Sequence, residues 1–64
     1  MRVGEKVYML EDGKKIFGFI TEIWPADEYH REGFRADFHY PRHIVRNYEM
    51  KQDDIGRFVF YAKK

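Results

Sequence analysis

His39 and His43 stand four residues apart and His30 lies nine before His39, within a segment that also holds Arg31, Arg35, Arg42 and Arg46. Imidazoles at that spacing can share a divalent ion when a helix brings both to one side. Pro41 sits between the pair. It breaks such a helix, because proline lacks the N–H and its ring clashes with the preceding turn. Glu28, Glu32 or Asp37 could complete a ligand set, but acids of this kind occur along the whole chain. No metal and no other cofactor is expected. Asp53 and Asp54 are adjacent carboxylates ahead of Ile55-Gly56. The simpler expectation there is structural, with one of them capping a short turn by accepting a backbone N–H. Nucleophilic catalysis lacks its parts. The chain has no cysteine and no serine, and Thr21 is its single aliphatic hydroxyl. A base would find no nucleophile to activate. No Gly-x-Gly-x-x-Gly or other phosphate-cradling loop is present either. An enzyme is not expected.

What remains is binding. Between residues 29 and 48, Tyr29, Tyr40 and Tyr48 alternate with the four arginines and with the histidines. Cations neutralise phosphates and rings stack on unpaired bases, so an RNA- or DNA-binding surface is one reading of this segment. The other is a protein-binding surface, since Trp, Tyr and Arg are the residue types enriched at interface hot spots. Charge argues for the second. The net charge is only +1. Residues 1–29 hold four basic and six acidic side chains, while residues 30–48 hold four arginines against Glu32 and Asp37. The positive excess is local and small, well short of a dedicated DNA binder. The candidate contact residues are Trp24, Tyr29, Arg35, His39, Tyr40, Arg42, His43 and Arg46.

These residues must be positioned by short strands. Lys6 to Leu10 is rich in strand formers, and the Asp12-Gly13 pair after it is a hairpin signal. Lys15 to Trp24 reads as the return strand. It has apolar residues on both parities: Phe17, Phe19 and Ile23 on one, Ile16, Ile20 and Trp24 on the other. That suits a long strand bent at Gly18. Pro25 to Gly33 reads as a loop, with two helical turns over residues 26–32 as the alternative. Phe34 to Tyr40 alternates apolar and polar, the mark of a half-buried strand. Pro41 then makes a turn, and His43 to Met50 follows as a strand. Gln52 to Gly56 reads as a turn or a single 3₁₀ turn, Arg57 to Ala62 as the last strand, and Lys63-Lys64 as a solvated tail.

Sixty-four residues make one domain, 1–64, with a small core and marginal stability. Hydrophobic residues are 44% of the chain and aromatic ones 19%. Most rings are therefore expected in the core, where they bury the most area per residue ordered. The absence of cysteine excludes a disulfide scaffold. The first residues lack the apolar core of a signal peptide, and no apolar run approaches the roughly 20 residues that span a bilayer. A cytoplasmic location, away from membranes, is expected.

Five short strands, a tight first hairpin and a brief turn before the last strand lead to an all-β fold, a small five-stranded SH3-like barrel, because closure removes unpaired edges. The stretch VGEKVYMLEDGKKIFGFITEI (3–23) resembles the opening of KOW-type and other SH3-like barrels, with Gly4, Val7, Gly13, Gly18, Ile20 and Ile23 in the family's places. That resemblance implies contact with RNA or with proteins of transcription and translation. The stretch DDIGRFVFY (53–61) resembles the Asp-Ile-Gly-x-x-Val-Phe ending of small proteins encoded by phages and mobile elements. This second resemblance implies an accessory protein whose partner, inhibited or modulated, is a host protein.

Overall fold

A computed structural model describes residues 1–62; the Lys63-Lys64 tail lies outside the described residues. The chain forms β1 (Lys6–Glu11), β2 (Lys14–Trp24), β3 (Gly33–His39), β4 (Ile44–Lys51), a 3₁₀ turn (Gln52–Asp54) and β5 (Val59–Tyr61). The strands make one antiparallel sheet in the order β4-β3-β2-β1-β5. The sheet is not closed into a barrel: β4 and β5 are its two edges. The molecule is correspondingly elongated, 38 × 22 × 21 Å.

Local chemistry explains the connections. Glu11 pairs with Lys14 across a two-residue loop in which Asp12 has φ 52° and Gly13 φ 77°. Two successive positive φ values define the hairpin turn that matches strand twist, and Asp-Gly is a favoured sequence for it. At the other hairpin, the Tyr40 N–H donates to the His43 carbonyl at 2.9 Å, leaving Pro41 and Arg42 at the turn's tip. Asp54 ties the 3₁₀ turn by accepting the Lys51 N–H on Oδ2 at 3.0 Å. The stretch 25–32 is a loop, and no helical turn forms there. The last strand is shorter than the sequence suggests, because Arg57 and Phe58 both donate to the Asp54 carbonyl and stay in the turn.

Both parities of apolar residues on β2 are accounted for by a bulge at Thr21 rather than a bend at Gly18. Ile20 pairs with Ala36 and Glu22 with Arg35, so Thr21 has no partner on β3. One extra residue exchanges the faces of a strand. Ile16 and Ile20 point inwards before it and Ile23 after it, whereas Phe17 and Phe19 point outwards before it and Trp24 after it. Gly18 has a steric duty instead. A Cβ there would lie 2.4 Å from the Asp37 carbonyl oxygen and 2.7 Å from the Phe38 ring.

A second bulge lies on β4. Ala36 pairs with Tyr48 and Phe38 with Val45, so Arg46 and Asn47 together oppose Asp37. Asn47 takes φ 56°, a left-handed conformation that Asn tolerates better than most residues. Its N–H donates to Asp37 Oδ1 at 2.8 Å.

The core lies on one face only: Val7, Ile16, Ile20, Phe34, Ala36, Phe38, Met50 and Val59. The expectation that most rings are buried fails. Of twelve aromatic residues, Phe34 and Phe38 alone are buried. A single open sheet shields one face and leaves its other face to solvent.

Candidate functional site

The eight candidate residues do not converge. Trp24, Tyr29 and Arg35 stand at the end of the sheet where β2 passes into β3. Tyr40, Arg42 and His43 form the β3–β4 turn at the opposite end. With seven residues in β3, the two ends are about 20 Å apart.

At the first end, Trp24 builds the loop as much as it lines it. Its indole N–H donates to the Arg31 carbonyl at 3.0 Å, and its ring covers Gly33, where a Cβ would meet the ring at 2.8 Å. The Arg35 guanidinium lies 5.3 Å from the indole centroid, an arrangement favoured by the ring quadrupole. It is also gripped by Glu22 at 2.8 Å and Glu49 at 3.4 Å. Arg35 therefore faces outwards already neutralised. The loop itself is knotted by Asp27, whose Oδ1 accepts the N–H of Tyr29 at 2.8 Å and of His30 at 2.6 Å. Those two bonds stabilise the ionised form and hold the Asp27 carboxyl below its usual range, with the His30 imidazole 3.4 Å away adding to the effect. Tyr29 is thrust into solvent, 86% exposed. An open groove runs beneath this loop. Its lining carries five carboxylates, Glu22, Asp27, Glu32, Glu49 and Asp54, against three permanent cations, Arg31, Arg35 and Lys51. Arg31 is itself paired with Asp53 at 3.1 Å.

At the second end, the Tyr40 and His43 rings stack with centroids 4.7 Å apart and 6° between planes. Burial first, and then the nearby Glu11 carboxylate, push the Tyr40 hydroxyl above its usual range. Arg42, exposed at the tip, makes no ion pair among the described residues. Arg46 lies 3.7 Å from Asp37. His39 turns its ring edge-on to Phe19 at 6.0 Å. Three of the four arginines that suggested a phosphate-binding surface, Arg31, Arg35 and Arg46, thus face a carboxylate.

No family model, curated protein or solved structure matches this chain. Its chemistry must be read from its own surfaces. Among the described residues no three His, Asp or Glu side chains cluster as a metal site would require. No helix is long and apolar enough to cross a membrane.

One surface went unnoticed in the sequence. On the outward face, register sets Phe60 beside Tyr8, Tyr8 beside Phe17, Phe17 beside His39 and His39 beside Ile44, a row that crosses all five strands. The Phe60 and Tyr8 rings stack at 5.4 Å and 27°, and Phe17 tilts against Tyr8 at 5.9 Å. Lys6 places its ammonium 4.5 Å from the Phe17 centroid, and Lys15 places its own 4.8 Å from that of Tyr8. The signal was present as alternation, Lys6-Tyr8-Leu10 and Lys15-Phe17-Phe19. Alternation alone does not say whether such a row of rings faces a core or solvent, and here Val7 and Ile16 take the core face.

Proposed function

We propose that this protein is a non-catalytic binding module that docks a segment of another protein into the groove beneath the β2–β3 loop. The observation behind this reading is Tyr29, held out by the Asp27 turn at the rim of a groove with more carboxylates than cations. A tyrosine so placed offers a large contact surface at small entropic cost, with Trp24 and Arg35 already rigid beside it. The net acidic lining favours a basic segment and disfavours phosphate. The eight sequence candidates therefore divide: Trp24, Tyr29 and Arg35 belong to this groove, the others lie elsewhere.

The remaining features of the reading rest on the sequence resemblances and on strand order. A tight β1–β2 hairpin, β1 lying between β2 and β5, and a 3₁₀ turn before β5 support an SH3-like strand order, here as an open sheet. The DDIGRFVFY segment supports a phage-type accessory protein acting in the cytoplasm. The partner would then be a host protein that is inhibited or modulated.

The test is affinity capture from cells of the source, with wild type, Tyr29→Ala and Phe17→Leu as baits and identification by mass spectrometry. A specific protein retained by wild type and Phe17→Leu but lost with Tyr29→Ala is the expected result. Retention indifferent to Tyr29→Ala would remove the groove from the reading.

A further inference from the structure

We infer that the outward face of the sheet is a second binding surface, a stacking platform for single-stranded nucleic acid. This inference does not rest on the groove, and of the arginine-rich segment its row of rings takes only His39. Its basis is the cross-strand row Phe60, Tyr8, Phe17 and His39, in which each ring's residue pairs with the next across neighbouring strands. Phe19 flanks the row from the adjacent position on β2 and is 43% exposed, and Phe17 within it is 37% exposed. Rings displayed side by side on a rigid sheet offer successive flat faces, which every base can stack upon regardless of sequence.

Charge decides between occupants. Two lysines, Lys6 and Lys15, reach over the row from either side. Neither forms an ion pair among the described residues. The acid nearest in register is Asp37, opposite Phe19, and it is engaged by Arg46 at 3.7 Å and by the Asn47 N–H. Apolar rings with uncompensated cations on both flanks suit a polyanion that carries bases. A second copy of the chain, laid face to face, would set lysines against lysines. In the free protein each ammonium rests on a ring face. A strand that stacks on those faces displaces it outwards, towards the phosphates.

The arrangement makes numerical expectations. Two phosphate contacts on a single strand give a slope of about −1.4 for the logarithm of affinity against the logarithm of salt concentration. Loss of one stacking ring should weaken binding about tenfold. Fluorescence anisotropy with labelled twelve-nucleotide oligo-dT and oligo-U, between 50 and 200 mM salt, reads both. Wild type and Tyr29→Ala should bind alike. Phe17→Leu, which keeps apolar cover but removes the ring, should lose about tenfold. Lys6→Met with Lys15→Met should abolish most of the salt slope. Circular dichroism on each variant ensures that only folded protein is compared, and Tyr8→Leu replaces any variant that does not fold.

The DNA and RNA arms identify which polymer is preferred, and binding to either upholds the inference. No binding at 100 µM protein, binding unchanged by both Phe17→Leu and Tyr8→Leu, or a blunt duplex competing as well as the single strand would each overturn it. So would sedimentation showing a dimer that Phe17→Leu dissociates, since the face would then belong to a second copy. Loss of oligonucleotide binding leaves the groove intact, and loss of the captured protein with Tyr29→Ala leaves the platform intact.

Discussion

At the scale of single residues, two glycines bear on the site through space rather than through backbone freedom. A Cβ on Gly18 meets the Asp37 carbonyl at 2.4 Å, and backbone cannot step aside without parting β2 from β3. Gly18→Ala should therefore lower stability by about 2–3 kcal/mol, as overpacking does, and the melting temperature by on the order of 10–20 °C. At Gly33 the obstacles are the Met50 carbonyl at 2.7 Å and the Trp24 ring at 2.8 Å. Gly33→Ala should lift the chain's one tryptophan off its seat, shifting its fluorescence to the red. Asp27 gives a pH-dependent expectation. Its carboxyl is held low first by the Tyr29 N–H and then by the His30 N–H. Such a group contributes fully above its unfolded pKa of about 3.9 and loses that contribution as pH falls through the lower folded value. The amide resonances of Tyr29 and His30 should titrate with a midpoint below that of an unstructured aspartate, and the Tyr29 loop should loosen only under that acid. A midpoint at or above that of an unstructured aspartate would show that the turn does not hold.

At the scale of elements, legibility divided sharply between local and long-range causes. The Asp12-Gly13 hairpin, the alternation of β3 and the turn at Pro41 are written in adjacent residues, and all three are present. The two bulges are not. Thr21 is left over because β2 must offer Ile20 and Ile23 to the same core, a constraint visible only once β3 lies alongside. The same slip sends Trp24 outwards, which is why it lines a groove instead of filling the core. At the β4 bulge the holding contact is the Asp37 carboxylate on the Asn47 N–H. Asp37→Ala should cost about 1 kcal/mol, the usual net value of a hydrogen bond, and should speed hydrogen exchange at Asn47. Asn47→Gly should be tolerated, whereas Asn47→Val, β-branched at φ 56°, should destabilise more than Asp37→Ala. Equal stability of Asn47→Val and Asn47→Gly in urea would mean that the bulge is absent in solution.

At the scale of the whole molecule, composition misled because it counts rings without knowing how many faces a sheet can cover. Among the described residues eight buried hydrophobic side chains hold the fold, and two of them, Phe34 and Phe38, are its only fully enclosed rings. A chain of this length has a total stability of roughly 3–10 kcal/mol, and truncating a buried phenylalanine removes about 3–5. Phe38 also seals the Gly18 notch and meets the Tyr48 ring edge-on at 6.0 Å. Phe38→Ala should thus leave the protein largely unfolded at 25 °C, with its sheet signal in circular dichroism lost. Phe17 presents the opposite case: its ring lies on the uncovered face, so Phe17→Leu should shift the urea midpoint only slightly. The two phenylalanines lie on strands that pair with each other and differ chiefly in the face they occupy. A large loss at Phe38 with little at Phe17 is what one shielded face and one exposed face require. Comparable losses at both would mean that the outward rings are covered in solution, and with them the platform they are argued to form.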